Sequence, residues 1–152
     1  MTNSDLRPCS RRGILSLITV SVTGGCLGLA NSESPPPGLD SLYIRNQQNQ
    51  ETTVSVTVER DSEIVYDQTH VLDAWENNSS FGEILIEDEW LGERTAYEVT
   101  VDVEETGRES YSTGEFLEMA GSTDDFNCFE ITVVIDSDFI DFRPSARETC
   151  HN

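Results

Sequence analysis

The chain has no lysine, and its only permanently positive side chains are nine arginines. Against them stand 29 aspartates and glutamates, which give the 152 residues a net charge of −20 at pH 7. A protein that binds nucleic acid presents a basic face to the phosphates. This composition argues against such a face, so we expect no nucleic-acid partner.

Histidine and the common catalytic motifs are also scarce. Histidine occurs twice, as His70 in a run of alternating residues and as the penultimate residue His151. The sequence contains no Gly-x-Ser-x-Gly motif, phosphate-binding loop, His-Glu-x-x-His motif or zinc-ligand spacing. Carboxylate pairs are frequent, but 29 acids in a small protein produce neighbours by chance. We therefore expect neither catalysis nor a cofactor.

One acidic stretch carries the oxygen ligands that a hard cation prefers. Asp136, Asp138 and Asp141 lie close together in the sequence, and Ca²⁺ is bound by several oxygen atoms. The stretch lacks the Gly and the terminal Glu of a calcium-binding loop. We therefore treat the three acids as weak metal-site candidates and favour solvated surface charge.

The sequence has no apolar run long enough to span a bilayer as a helix, which takes about 20 residues. Only 13 residues separate Arg12 from Cys26, and four of them are Ser or Thr. A basic segment with Arg7 and Arg11 precedes this run, and small residues follow it. Because this is the order of a secretory signal, we expect residues 1–25 to be a cleaved signal peptide.

Two motifs in this segment resemble those of a known class of leader. The residues Ser10-Arg11-Arg12-Gly13-Ile14-Leu15 resemble a twin-arginine export signal, and the small residues before Cys26 resemble a lipobox. The segment is therefore similar to the leaders of twin-arginine lipoproteins from halophilic archaea. The resemblance implies export in the folded state, an ether-linked lipid on Cys26, and a domain on the outer face of the cell membrane. Alternatively, Cys26 is an ordinary small residue in a leader that is cleaved elsewhere.

The excess of acids grows once the signal peptide is removed. Loss of residues 1–25 removes three arginines and one aspartate, which leaves six basic and 28 acidic residues and a net charge of −22. The acids are spread along the chain, as in a surface adapted to salt. A disordered acidic chain is the alternative, but the dense strand pattern and the two Trp, six Phe and four Tyr argue against it.

The rest of the chain divides into a short tether and one domain. Residues 26–39 contain Pro35, Pro36 and Pro37, which favour an extended chain. Residues 40–150 show alternation of apolar and polar residues with a period of two, which is typical of half-buried strands. The predicted strands lie at 42–45, 53–59, 64–70, 82–86, 97–104, 109–113, 130–136 and 139–142.

No stretch shows a period of 3.6, so we predict an all-β domain. Seven or eight short strands at this spacing favour a two-sheet sandwich of the immunoglobulin-like or fibronectin-like type, with a small barrel as the alternative. The assignment is open between Val71 and Trp90, where Trp75 and Trp90 are either core or loop residues.

The sequence also predicts a disulfide. Cys128 and Cys150 are the cysteines left after the leader and Cys26 are accounted for, and in an exported protein we expect them to form a disulfide. Two free thiols are the alternative.

A polar loop contains two candidate glycosylation sites. Asn77 and Asn78 begin two overlapping sequons in this loop, where a glycan fits.

These features together favour a membrane-anchored extracellular lipoprotein whose sandwich is a binding or structural module. Its partners would be the membrane, through the lipid on Cys26, and a cell-surface protein or glycan. The alternatives are a solute-capture accessory lipoprotein of a transporter, for which one such domain is small, and a secreted enzyme.

Overall fold

Alternation in the sequence separates a buried from an exposed face in most strands. In β2, for example, Val54, Val56 and Val58 are fully buried while the residues between them reach solvent. A computed structural model describes residues 34–75, 82–121 and 126–150. Its elements are β1 (Gly38–Asn46), β2 (Thr52–Arg60), β3 (Glu63–Leu72), β4 (Gly82–Ile86), β5 (Tyr97–Val103), β6 (Gly107–Ser112), α1 (Thr113–Ala120), β7 (Cys128–Ile135) and β8 (Ile140–Arg147).

The eight strands form two four-stranded sheets with the order β4-β1-β7-β8 and β3-β2-β5-β6. All neighbouring strands are antiparallel except β1 and β7, which are parallel. The inward-facing Val, Ile, Leu and Phe residues of both sheets form one core. The predicted all-β sandwich is confirmed, and the barrel alternative is wrong because the strands divide between two sheets.

The pairing order of the first six strands matches that of an immunoglobulin-type sandwich. β1 and β4 pair in one sheet, as strands B and E do, while β3-β2-β5-β6 has the order C′-C-F-G. β7 lies beside β1, where strand A lies in that fold, but it comes from the C-terminal part of the chain. The first strand begins at Gly38, whereas the sequence places the start of the domain near Asp40.

The short helix α1 is a correction to the expectation that no helix is present. Two turns that contain Gly114 are too short to give a clear helical period. The local signal is a capping box, in which the Glu115 carboxylate accepts hydrogen bonds from the Ser112 backbone N–H (2.7 Å) and hydroxyl (2.8 Å). These bonds lower the pKa of Glu115, so they support the helix above the ordinary carboxyl pKa and weaken as the pH falls. The helix packs against β6 and β8 and buries Phe116.

The strands run between two ends of the sandwich. We define the basal end by Gly38, the start of β1, which pairs with Cys128 at the start of β7. We define the distal end by Asn46, the last residue of β1, which pairs with Gly82 and Ile135. A nine-residue strand is about 30 Å long, so the two ends are separated by roughly that distance.

The basal end holds the chain that leads into β1. Arg94 donates a hydrogen bond to the Pro35 carbonyl (2.7 Å), and the Gly92 N–H donates to the Leu39 carbonyl (2.7 Å). Tyr97 donates to the carbonyls of Trp90 (2.9 Å) and Glu93 (3.1 Å), and its burial raises its pKa to about 12. The loop between β4 and β5 therefore fixes the direction in which the chain enters the sandwich.

A disulfide closes the same end. Cys128 and Cys150 are joined with their Cα atoms 5.5 Å apart, as the sequence predicts. The bond spans 22 residues, and on the chain-entropy account a loop of this size stabilises a fold by about 3 kcal/mol. It ties the segment after β8 to the start of β7.

Candidate functional site

Four connecting segments meet at the distal end of the sandwich and are joined there by hydrogen bonds. They are the β1–β2 loop (47–51), the chain after β3 (73–75), the β5–β6 turn (104–106) and the β7–β8 turn (136–139). We call these four segments the distal surface. Binding residues often lie on loops that a rigid scaffold holds in place. The hydrogen bonds that hold these four segments therefore bear on whether the surface can bind a partner.

The side chain of Asn46 joins two of these segments from below. It is completely buried. Its amide donates hydrogen bonds to the carbonyls of Gln50 (2.8 Å) and Asp73 (2.9 Å), and its oxygen accepts one from the Gln48 N–H (2.9 Å). Because each partner is a backbone group of a loop, Asn46 replaces the strand pairing that these loops lack.

Gln48 extends the same network to the other two segments. Its side-chain amide donates to the Asp136 carbonyl (3.2 Å) and to the Thr106 hydroxyl (3.4 Å). The Gln48 carbonyl in turn accepts a hydrogen bond from the Trp75 N–H (2.7 Å). A buried amide with several well-placed partners holds the surrounding backbone in one arrangement. All four segments of the distal surface are thus connected through Asn46 and Gln48.

A close backbone contact also positions the chain after β3. At Gly82 a Cβ atom would lie 2.0 Å from the Asp73 carbonyl oxygen. Only glycine permits this approach without a backbone shift. Gly82, the first residue of β4, therefore helps to position the chain after β3, because its lack of a side chain permits the close contact.

The distal surface presents aromatic and acidic groups to solvent. Trp75 is 36% exposed and Phe139 is 49% exposed. A shallow cavity of about 260 Å³ lies between the start of β2 and the β5–β6 turn and is lined by Glu51, Glu104 and Glu105, among others. Gln50 donates a hydrogen bond to Glu105 across it (3.1 Å). Exposed rings with polar neighbours suit non-covalent recognition of another molecule.

The three weak metal candidates at this end do not converge. Asp136 accepts hydrogen bonds from the Ser137 N–H (2.6 Å) and hydroxyl (3.2 Å), as in a local turn. Asp141 forms an ion pair with Arg143 (2.8 Å), and Asp138 is exposed in the turn. Within the ranges that the structure describes, no three His, Cys, Asp or Glu residues are grouped to hold a metal ion.

A second polar cluster lies beside the edge strand β3. The Tyr66 hydroxyl and His70 Nε2 are 2.8 Å apart, and their rings are stacked. Burial, followed by the nearby Asp88 carboxylate, raises the pKa of Tyr66. Trp90 packs against Tyr66, and its buried indole N–H has no hydrogen-bond partner among the described residues. Trp90 thus lies in the β4–β5 loop but packs into the core, whereas Trp75 lies in a loop and reaches solvent.

The remaining sequence-predicted sites lie outside the described residues. They are Arg11, Arg12 and Cys26 of the export and lipidation motifs, and Asn77 and Asn78 of the sequons. The sequons belong to the loop that begins at the distal surface with residues 73–75. No helix in the part of the chain that the structure describes is long and apolar enough to cross a bilayer.

Sequence reasoning did not identify Asn46 and Gln48. Both fall in the polar run Asn46–Asn49, whose composition predicts only a turn between two strands. The alternation of β1 continues through both positions, and an amide on the apolar side of a strand is the signal that could have marked them. Their partners, up to 88 residues away, could not be read from the sequence.

The chain matches no protein-family model. No curated protein matches its sequence significantly.

Proposed function

We propose that this protein is a lipoprotein anchored to the outer face of the cell membrane, with its β-sandwich as a binding module. The lipid would be attached to Cys26 after removal of residues 1–25. The distal surface would contact a protein or glycan of the cell surface. The sequence of the leader supports the anchor, and the geometry of the sandwich supports the direction in which the module faces.

The observation that carries the proposal is the opposite placement of tether and loops. The chain enters β1 at the basal end, where Arg94 and Gly92 hold residues 35 and 39. The distal surface lies at the other end of β1, about 30 Å away. A sandwich tethered in this way keeps the basal end toward the membrane and leaves the distal surface free to meet a partner.

The rigidity of the distal surface is the second support. Asn46 and Gln48 fix all four of its segments before any partner arrives. A preformed surface loses less conformational entropy on binding than a flexible one. Trp75 and Phe139 supply exposed aromatic area of the kind that is enriched at binding sites.

Site-specific crosslinking on intact cells tests which end meets the partner. Ser137→Cys places a photoreactive label in the distal β7–β8 turn, and Ser62→Cys places it in the basal β2–β3 turn. Both residues are exposed serines in tight turns, so they form a matched pair. We expect a discrete crosslinked product that is at least several-fold stronger from position 137, and its mass after deglycosylation distinguishes a protein from a glycan partner.

Equal labelling from positions 62 and 137 would contradict the assignment of the distal surface. The same holds if the basal position alone gives a product. Circular dichroism of both labelled variants controls for loss of the fold.

A further inference from the structure

The outward side of the β4-β1-β7-β8 sheet differs in charge from the rest of this acidic chain. It carries three ion pairs: Arg45 with Glu83 (2.6 Å), Arg143 with Asp141 (2.8 Å), and Arg147 with Glu130 (2.6 Å). The hydrogen bond to Glu130 and its charge, followed by the charge of the buried Asp40, raise the pKa of Arg147. We call this side the paired face, because its arginines each have an acidic partner beside them.

The outward side of the other sheet is acidic by comparison. Glu59 and Glu98 lie directly opposite each other on β2 and β5. Asp67 and Asp102 face the same way on the neighbouring strands, and Arg108 is near Asp102 at 4.0 Å. Like charges directly opposite on a sheet repel. Two copies of a chain with a net charge of −20 therefore meet far less repulsion at the paired face than at this one.

The middle of the paired face includes a short run of uncharged residues. One row across the sheet runs from Leu85 on β4 through Tyr43 on β1 and Thr132 on β7 to Arg143 on β8, so that only its last residue is charged. Leu85 is 41% exposed, and Val134 also belongs to this side of the sheet, although it is buried. An uncharged centre with charged groups around it is the usual anatomy of a protein interface.

From this charge pattern we propose that the paired face is the contact between two copies of this chain, related by a two-fold axis near Thr132. The face carries arginines and acids side by side, so a two-fold contact brings groups of both signs from the two copies together. Such a contact is self-complementary by symmetry. It uses a side of the sandwich that is separate from the distal surface and does not depend on it.

The size of the face sets the strength of the contact. Four strands about 4.8 Å apart and about eight residues long cover roughly 500 Å² per copy, or roughly 1,000 Å² in total. Interfaces of this size are at the lower limit for a specific complex and are weak. The dimer should therefore depend on salt, with association strengthening as the repulsion between two acidic chains is screened.

Cysteine crosslinking of the full chain tests the proposal. Thr132→Cys places a thiol near the proposed axis, where it meets its own counterpart, and Thr57→Cys places one on the acidic outward side of β2. Both threonines are half-buried and face outward on central strands, so the second variant is a matched control. With a short bis-maleimide in molar KCl, we expect at least tenfold more covalent dimer from Thr132→Cys, and a similar loss on adding Leu85→Glu.

Equal dimer yields from the two variants would overturn the proposal, as would a yield from Thr132→Cys that Leu85→Glu leaves unchanged. Products that contain only other proteins would assign the face to a different partner and also overturn it. Thermal melts followed by circular dichroism confirm that each variant is folded, so a loss of dimer is not a loss of fold.

Discussion

Replacement of Asn46 by alanine should strongly destabilise the sandwich. The substitution leaves the buried Gln48 N–H without its partner, and it removes the bonds to the partly buried carbonyls of Gln50 and Asp73. A buried polar group left unpaired costs about 1–3 kcal/mol, and carbonyls that water can reach cost less. We expect a total loss of about 2–4 kcal/mol, a large part of the stability of a domain of this size.

Thermal unfolding of matched variants checks this expectation. Asn49→Ala removes the same side chain from an exposed position in the β1–β2 loop that follows Asn46, and such surface changes stay within about 0.5 kcal/mol. Asn46→Ala should lower the melting temperature by about 10 °C, while Asn49→Ala should leave it nearly unchanged. Equal shifts in the two variants would mean that the buried amide does not hold the distal surface.

The second large effect should come from salt. The chain carries a net charge of −20, and the acids on the outward side of the β3-β2-β5-β6 sheet have few positive neighbours among the described residues. The screening length falls from about 10 Å at 0.1 M salt to about 3 Å at 1 M. Repulsion among these acids is therefore largely removed in molar salt and opposes folding in dilute buffer. We expect a folded domain in molar KCl that loosens below about 0.3 M.

Circular dichroism during a salt titration measures this effect, and two variants locate its source. Glu59→Gln removes one of two acids that face each other directly, so it should reduce the dependence of the melting temperature on salt. Glu83→Gln removes an acid that is paired with Arg45, so it should not reduce it. A spectrum that is unchanged down to dilute buffer would contradict the electrostatic account.

The strands could be predicted because they depend on local pattern. The runs around Val54–Val58 and Val99–Val103 alternate so regularly that one face had to be buried, and the core of the structure includes both. Ser112 and Glu115 carried a readable helix-start signal, but α1 has only two turns and gives no period. The order of the strands, including the parallel pairing of β1 with β7, depends on contacts between distant parts of the chain.

The candidate site was less accessible to sequence reasoning for the same reason. Gln48 and Asp136 are 88 residues apart, and only the fold brings them together. Cys128 and Cys150 could be paired in advance because few cysteines remained to choose from. The acids Asp136, Asp138 and Asp141 could not be told apart in the sequence, whereas in the structure Asp136 bonds to Ser137 and Asp141 pairs with Arg143.

The proposed function rests on the anchor at Cys26, and partitioning of the full chain between membrane and aqueous fractions tests it most directly. Cys26→Ala removes the proposed lipid attachment site, and Cys9→Ala is the matched control because that residue lies in the proposed leader. We predict that the unaltered chain and Cys9→Ala enter the detergent phase, while Cys26→Ala shifts to the aqueous phase. Recovery of the unaltered chain in the aqueous phase, unprocessed at its amino end, would contradict the proposal.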